Sequence, residues 1–135
     1  MLWLLVTLSM MSLSFSFPSL RSSGRRLFLS MKTTLSPKLD LYECELEVKK
    51  SVFIARAKHC ESLDDAMAFL ARVKDSKASH NCYAWKDLAG TSSKSSDDGE
   101  PAGTAGRPIL GAIENSGVVG LAVVVTRYFG GIELG

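Results

Sequence analysis

Polar and apolar residues alternate over 42–48 (YECELEV), the two-residue period of a strand with one buried face. Lys49, Lys50 and Ser51 interrupt the alternation. Residues 52–57 (VFIARA) make a second strand, so a hairpin is expected. The period then changes. Ala66, Phe69, Leu70 and Val73 recur at helical steps, which predicts a helix over 62–75 with one apolar face. Ser62 and Asp65 have the spacing of a capping box at its start. Arg72, Lys74 and Lys77 suit the negative pole of the helix dipole at its end.

A short aromatic strand is expected over 80–85 (HNCYAW), with Tyr83 and Trp85 on one side as core residues. From Leu88 to Pro108 the pattern dissolves into Gly, Ser, Thr and Asp, which reads as one long loop. Residues 108–115 (PILGAIEN) predict a short helix with Pro108 in its first turn, Gly117 as its stop, and Ile109, Leu110 and Ile113 on its apolar side. Residues 118–129 (VVGLAVVVTRYF) are almost continuously apolar and β-branched, the signature of a central strand buried on both faces. The order is β-β-α-β-loop-α-β. It implies an α/β fold of the α+β sandwich kind, a mixed sheet with helices on one face.

Charge divides the chain. No Asp or Glu precedes Asp40, whereas Arg21, Arg25, Arg26, Lys32 and Lys38 do, so the first part carries +5. Residues 40–135 hold all 14 acids and 11 of the 16 bases, a net of −3, which argues against a broadly basic nucleic-acid surface. Residues 1–17 are apolar and uncharged, short for a bilayer span but suited to a secretory core. Residues 17–34 are rich in Arg and Ser and lack acids, which is transit-peptide composition. This tandem is similar to a two-part leader for a plastid, with Phe17 at the cleavage boundary. Residues 1–36 are therefore expected to be a targeting leader, cleaved or unstructured, and 37–135 the folded domain. The destination would be a plastid or mitochondrion, or the cytoplasm if Met31 is the true start. Cys44, Cys60 and Cys82 are odd in number and widely spaced, so no disulfide framework is expected.

Within the long loop, Asp97, Asp98 and Glu100 place three carboxylates within four residues. Gly99, Gly103 and Gly106 permit close backbone approach, and the segment runs through Thr104 and Arg107 straight into a helix. The spacing is neither that of a phosphate-cradling P-loop nor Gly-x-Gly-x-x-Gly. The carboxylates are candidates for oxygen ligation of a divalent cation, and equally for turn capping and pairing with Arg107. Adjacent Asp97 and Asp98 make no obvious acid-base dyad. His80 and Cys82 share a strand face and, with Cys60, offer at most an incomplete zinc set. If the loop folds over the strand end, Arg107, Arg127, Tyr128 and His80 are expected to converge as a site for phosphate and a stacked base. A salt bridge from Arg127 to Asp97 or Asp98 accounts for the same residues structurally.

Three blocks then carry a resemblance: His80-Asn81-Cys82-Tyr83-Ala84, the run SSDDGEPAGTAGRPIL over 95–110, and Val123-Val124-Val125-Thr126-Arg127-Tyr128-Phe129-Gly130-Gly131. In order and spacing they resemble the Impact/YigZ family over residues 51–135. The resemblance implies a βαβ-type domain like domain IV of elongation factor EF-G and a small-subunit ribosomal protein. It implies a further helix beyond Leu134-Gly135, so the domain read here would lack its last helix. It also implies a role in translation control. Eukaryotic members restrain a starvation-activated initiation-factor kinase by competing for its activator, through a further N-terminal domain that is not expected within the residues before the match. Bacterial members carry a second, ferredoxin-like domain.

The function expected is regulation of translation initiation and the amino-acid starvation response by protein binding, without catalysis, cofactor or metal. The expected surface is Asp97, Asp98, Glu100, Gly103, Thr104, Gly106, Arg107, Arg127, Tyr128 and His80. The expected partner is a protein of the translation-control machinery, or the ribosome and its RNA. The alternatives are an organellar RNA- or ribosome-binding module of the YigZ type and a metal-dependent enzyme of unknown reaction.

Overall fold

A computed structural model describes the backbone of residues 31–36 and residues 41–133 in full. The elements are β1 (Met31–Ser36), β2 (Leu41–Val48), β3 (Ser51–His59), α1 (Leu63–Val73), β4 (His80–Lys86), β5 (Ser93–Ser96), α2 (Gly106–Ser116) and β6 (Leu121–Tyr128). The sheet runs β1-β2-β3-β6-β4-β5. Met31–Ser36, which the leader was expected to include, pairs antiparallel with β2 as the first strand. The rest of the expected leader, residues 1–30, lies outside the described residues, as do 134 and 135.

The α+β class holds, and two details of the expectation are corrected. The sheet is not mixed, because every pairing in it is antiparallel. Helical crossovers ordinarily join parallel neighbours. Here β3 and β4 run parallel across α1, but β6 inserts between them and opposes both. Likewise β5 and β6 flank β4 across α2.

Nor do the helices share one face. Val123 and Val125 of β6 join Phe53, Ala55, Cys82, Ala84 and the α2 residues Ile109 and Ile113 in one core. Ala122 and Val124 point the other way, into a second core with Trp85 and the α1 residues Ala66 and Phe69. A strand that is apolar on both sides needs cover on both sides, at about 1.5–3 kcal/mol for each large side chain kept from water.

Local signals worked where they were short-range. Ser62 caps α1 by accepting the Asp65 amide at 3.1 Å. Gly117 ends α2 with a φ of 74°. The β2–β3 turn puts Lys49 and Lys50 at φ values of 48° and 65°, the paired left-handed geometry of a two-residue hairpin. The Gly130 backbone packs so tightly against this turn that an added Cβ would collide with the Lys50 carbonyl. Central strand β6 starts at Leu121 rather than Val118, and Val118 and Val119 stay exposed. Among the described residues, no helix is long and apolar enough to cross a membrane.

Candidate functional site

The polar loop is anchored at both ends. Within it, residues 93–96 form β5, a short edge strand paired with β4, and its last residues begin α2. Asp97 spans the gap. Its Oδ1 accepts the amides of Ala105 at 3.0 Å and Gly106 at 2.8 Å, and its Oδ2 accepts that of Gly103 at 2.8 Å. One carboxylate thus accepts the cap and first-residue amides at the start of α2, where the helix dipole favours negative charge. The Gly103, Gly106 and Ala105 amides, with the nearby Arg107 charge, hold the Asp97 carboxyl below the usual range. Gly106 lacks a side chain for a steric reason, since a Cβ there would meet the Ser96 backbone at 2.9 Å.

Asp98 adopts a φ of 43°, a left-handed conformation that Asp tolerates better than most residues. This aims its groups at β4. Its Oδ2 accepts the Asn81 amide at 2.6 Å, its carbonyl accepts from His80 Nδ1 at 2.8 Å, and Lys74 Nζ stands 3.7 Å from Oδ1. The Cys82 thiol donates to the Asp97 carbonyl at 2.9 Å, and burial, with the nearby carboxylates, pushes it up to about 12.

Glu100 reaches the strand end. Its carboxylate, only 8% exposed, pairs with Arg127 Nη1 and lies 3.7 Å from His80 Nε2. The Arg127 guanidinium sits between two rings, 5.6 Å from the Phe53 centroid and 5.8 Å from that of Phe129. Among the described residues, Arg127 Nε is the buried side-chain polar atom left without a hydrogen-bond partner. Beside this stack opens a cleft of about 440 Å³, lined by Ser79, His80, Glu100, Pro101, Arg127, Phe129 and Glu133.

The loop therefore lies against the end of β6, but through Glu100. The salt bridge of Arg127 to Asp97 or Asp98 gives way to one with Glu100, because both aspartates are turned to amide donors. Arg107 is exposed at the start of α2 and does not line the cleft beside Arg127. Thr104 is also exposed and donates its hydroxyl to the Pro101 carbonyl at 2.6 Å. Tyr128 belongs to the opposite sheet face, where its hydroxyl donates to Asp75 Oδ2 at 2.5 Å. Strand alternation makes that separation from Arg127 unavoidable.

The three loop carboxylates point to three places, and among the described residues no His, Cys, Asp and Glu group is arranged to hold a metal. Cys60 and Cys82 lie in different cores on opposite sheet faces. Phe53, Phe129 and Ser79 were missed as site residues. Phe53 becomes visible only once β3 and β6 are paired, because it lies opposite Arg127.

Residues 49–135 match the family model of the Impact N-terminal domain. A protein described as an IMPACT family member from Haemophilus influenzae is 46% identical over 96 residues, which are 67% of this chain and 47% of that one. IMPACT family member YigZ of Escherichia coli is 46% identical over 94 residues, 66% of this chain and 46% of that protein. The Protein IMPACT homolog of Saccharomyces cerevisiae is 41% identical over 93 residues, 63% of this chain and 35% of the yeast protein. A solved structure of a hypothetical protein superposes with a TM-score of 0.67 at 42% identity, covering 70% of this chain and 48% of that one. The chain thus spans about half the length of the bacterial relatives it matches.

Proposed function

The chain belongs to the Impact family through its N-terminal domain, and on that premise we propose that it serves translation control by binding rather than by catalysis. The observation that carries this reading is the use made of the loop carboxylates. Asp97 is engaged with the α2 amides, Asp98 with the Asn81 amide, and Glu100 with Arg127. A general acid or base needs a carboxylate free to exchange protons with a bound substrate, and these three hold the loop in place instead. What they build is a rigid surface of loop and strand end, with Phe129 standing half-exposed beside it. Preorganised surfaces of this kind lose little freedom on association.

The partner in this reading is a protein of the translation machinery. The resemblance to the Impact family, which carries the expectation of translation control, supports this partner class. The acid-free, Arg- and Ser-rich stretch over residues 17–30 supports delivery to an organelle.

The test is co-sedimentation of the full chain with purified ribosomal subunits and initiation factors at low salt. The chain is expected in the pellet, and Phe129→Ala is expected to release it while the circular dichroism stays unchanged. A chain that stays in the supernatant with every translational component removes the reading.

A further inference from the structure

The cleft beside Arg127 has a definite chemical preference. The partner of His80 Nδ1 is a backbone carbonyl, which only accepts, so Nδ1 carries a proton and is already engaged. The ring Nε2 faces the Glu100 carboxylate in the cleft lining at 3.7 Å. Glu100 and Glu133 add carboxylate oxygens. The one cation in the lining, Arg127, is already neutralised by Glu100 and only 13% exposed. Phe129 is 51% exposed and already carries one guanidinium against its ring. An anion entering here would meet acceptors and a neutralised cation. A planar cation would meet acceptors and an aromatic ring.

We infer that this cleft is a docking site for an arginine side chain of a basic protein segment, seated against Phe129 and donating to the carboxylates of Glu100 and Glu133. The inference rests on the binding role proposed above and names the chemistry of the partner. Arginine fits better than lysine because its flat fork can stack on a ring and reach several acceptors at once. The lining carries two carboxylates, Glu100 and Glu133, against one guanidinium, which favours the approach of a basic segment over that of a nucleic acid.

The test is an NMR titration of the isotopically labelled full chain with Nα-acetyl-arginine amide, using the citrulline analogue as the neutral isostere. Saturable shifts are expected at His80, Phe129 and Glu133 with arginine and none with citrulline, up to about 20 mM. Phe129→Leu and Glu133→Gln should each weaken binding roughly 3- to 10-fold, and Tyr128→Phe, on the other sheet face, should leave it unchanged. Equal response to citrulline, no response at all, or shifts at these residues with oligouridylate but not arginine would overturn the inference. If ribosomal co-sedimentation persists in any of those cases, the binding role stands and only the arginine site falls.

Discussion

Asp97 and Gly106 stand nine residues apart in the chain, and the carboxylate of one accepts the amide of the other at 2.8 Å, closing the loop onto the first residue of α2. The loop is therefore a cap built from a distance. Ordinary caps sit next to the helix they serve, and the residue adjacent to α2, Ala105, has no side chain that can do this.

Replacing Asp97 by Asn removes the charge and turns one of its two accepting oxygens into a donor that faces an amide. At neutral pH this is expected to cost about 1 kcal/mol. Because the folded chain holds this carboxyl below its ordinary value, its contribution is present above the unfolded-chain pKa and fades as pH falls through the lower folded one. Thermal melts of the two chains should therefore differ at neutral pH and converge in acid. A gap that stays constant into acid removes the charge-based account.

Glu100 and Arg127 are a nearly buried pair. Glu100→Ala strands the guanidinium and is expected to cost about 3 kcal/mol in urea unfolding. The double variant Glu100→Ala/Arg127→Met should be less destabilised than the sum of the single ones, because it leaves no unpaired charge. Additive effects would show that the pair is not coupled.

Two glycines of α2 should respond in opposite directions. A Cβ added at Gly111 would have no neighbouring atom within 4 Å, so Gly111→Ala is expected to stabilise the helix by about 0.5–1 kcal/mol. At Gly106 the same methyl meets the Ser96 backbone at 2.9 Å, and Gly106→Ala is expected to cost about 1–3 kcal/mol. Denaturant midpoints of the two variants check the sign of each.

The thiols should be silent in the folded chain. Cys44, Cys60 and Cys82 are buried and in no disulfide. Burial raises Cys60, and it pushes Cys82 up to about 12, so neither is present as thiolate near neutral pH. An aromatic disulfide reagent at about pH 8 is expected to label none of the three until urea is added. Fast labelling of Cys82 in the native chain would mean that the Asp97–Cys82 contact opens readily.

Much of the framework was legible because local rules decide it. The alternation over 42–48, the helical spacing of Ala66, Phe69, Leu70 and Val73, and the Ser62 cap each depend on neighbours a few residues away. The β5 strand was not legible. SKSS has no apolar face and is a strand only because β4 offers it a ladder from Tyr83 to Lys86. The site was legible in part. The loop does meet the end of β6, but which acid would pair with Arg127 depended on where the chain turns at Asp98 and Gly99, whose φ values are 43° and 89°.

Residue order alone determined the periodicities, the helix ends, the doubly buried β6 and the family blocks, since each is written in contiguous stretches and expressed in local backbone geometry. Tertiary structure decided the insertion of β6 between β3 and β4, the placing of the helices on opposite faces, and the company of Arg127 with Phe53, Glu100 and Phe129. Strand register is the physical reason. It is set by the packing of both faces together, and a shift of one residue would exchange Arg127 for Tyr128 at the cleft.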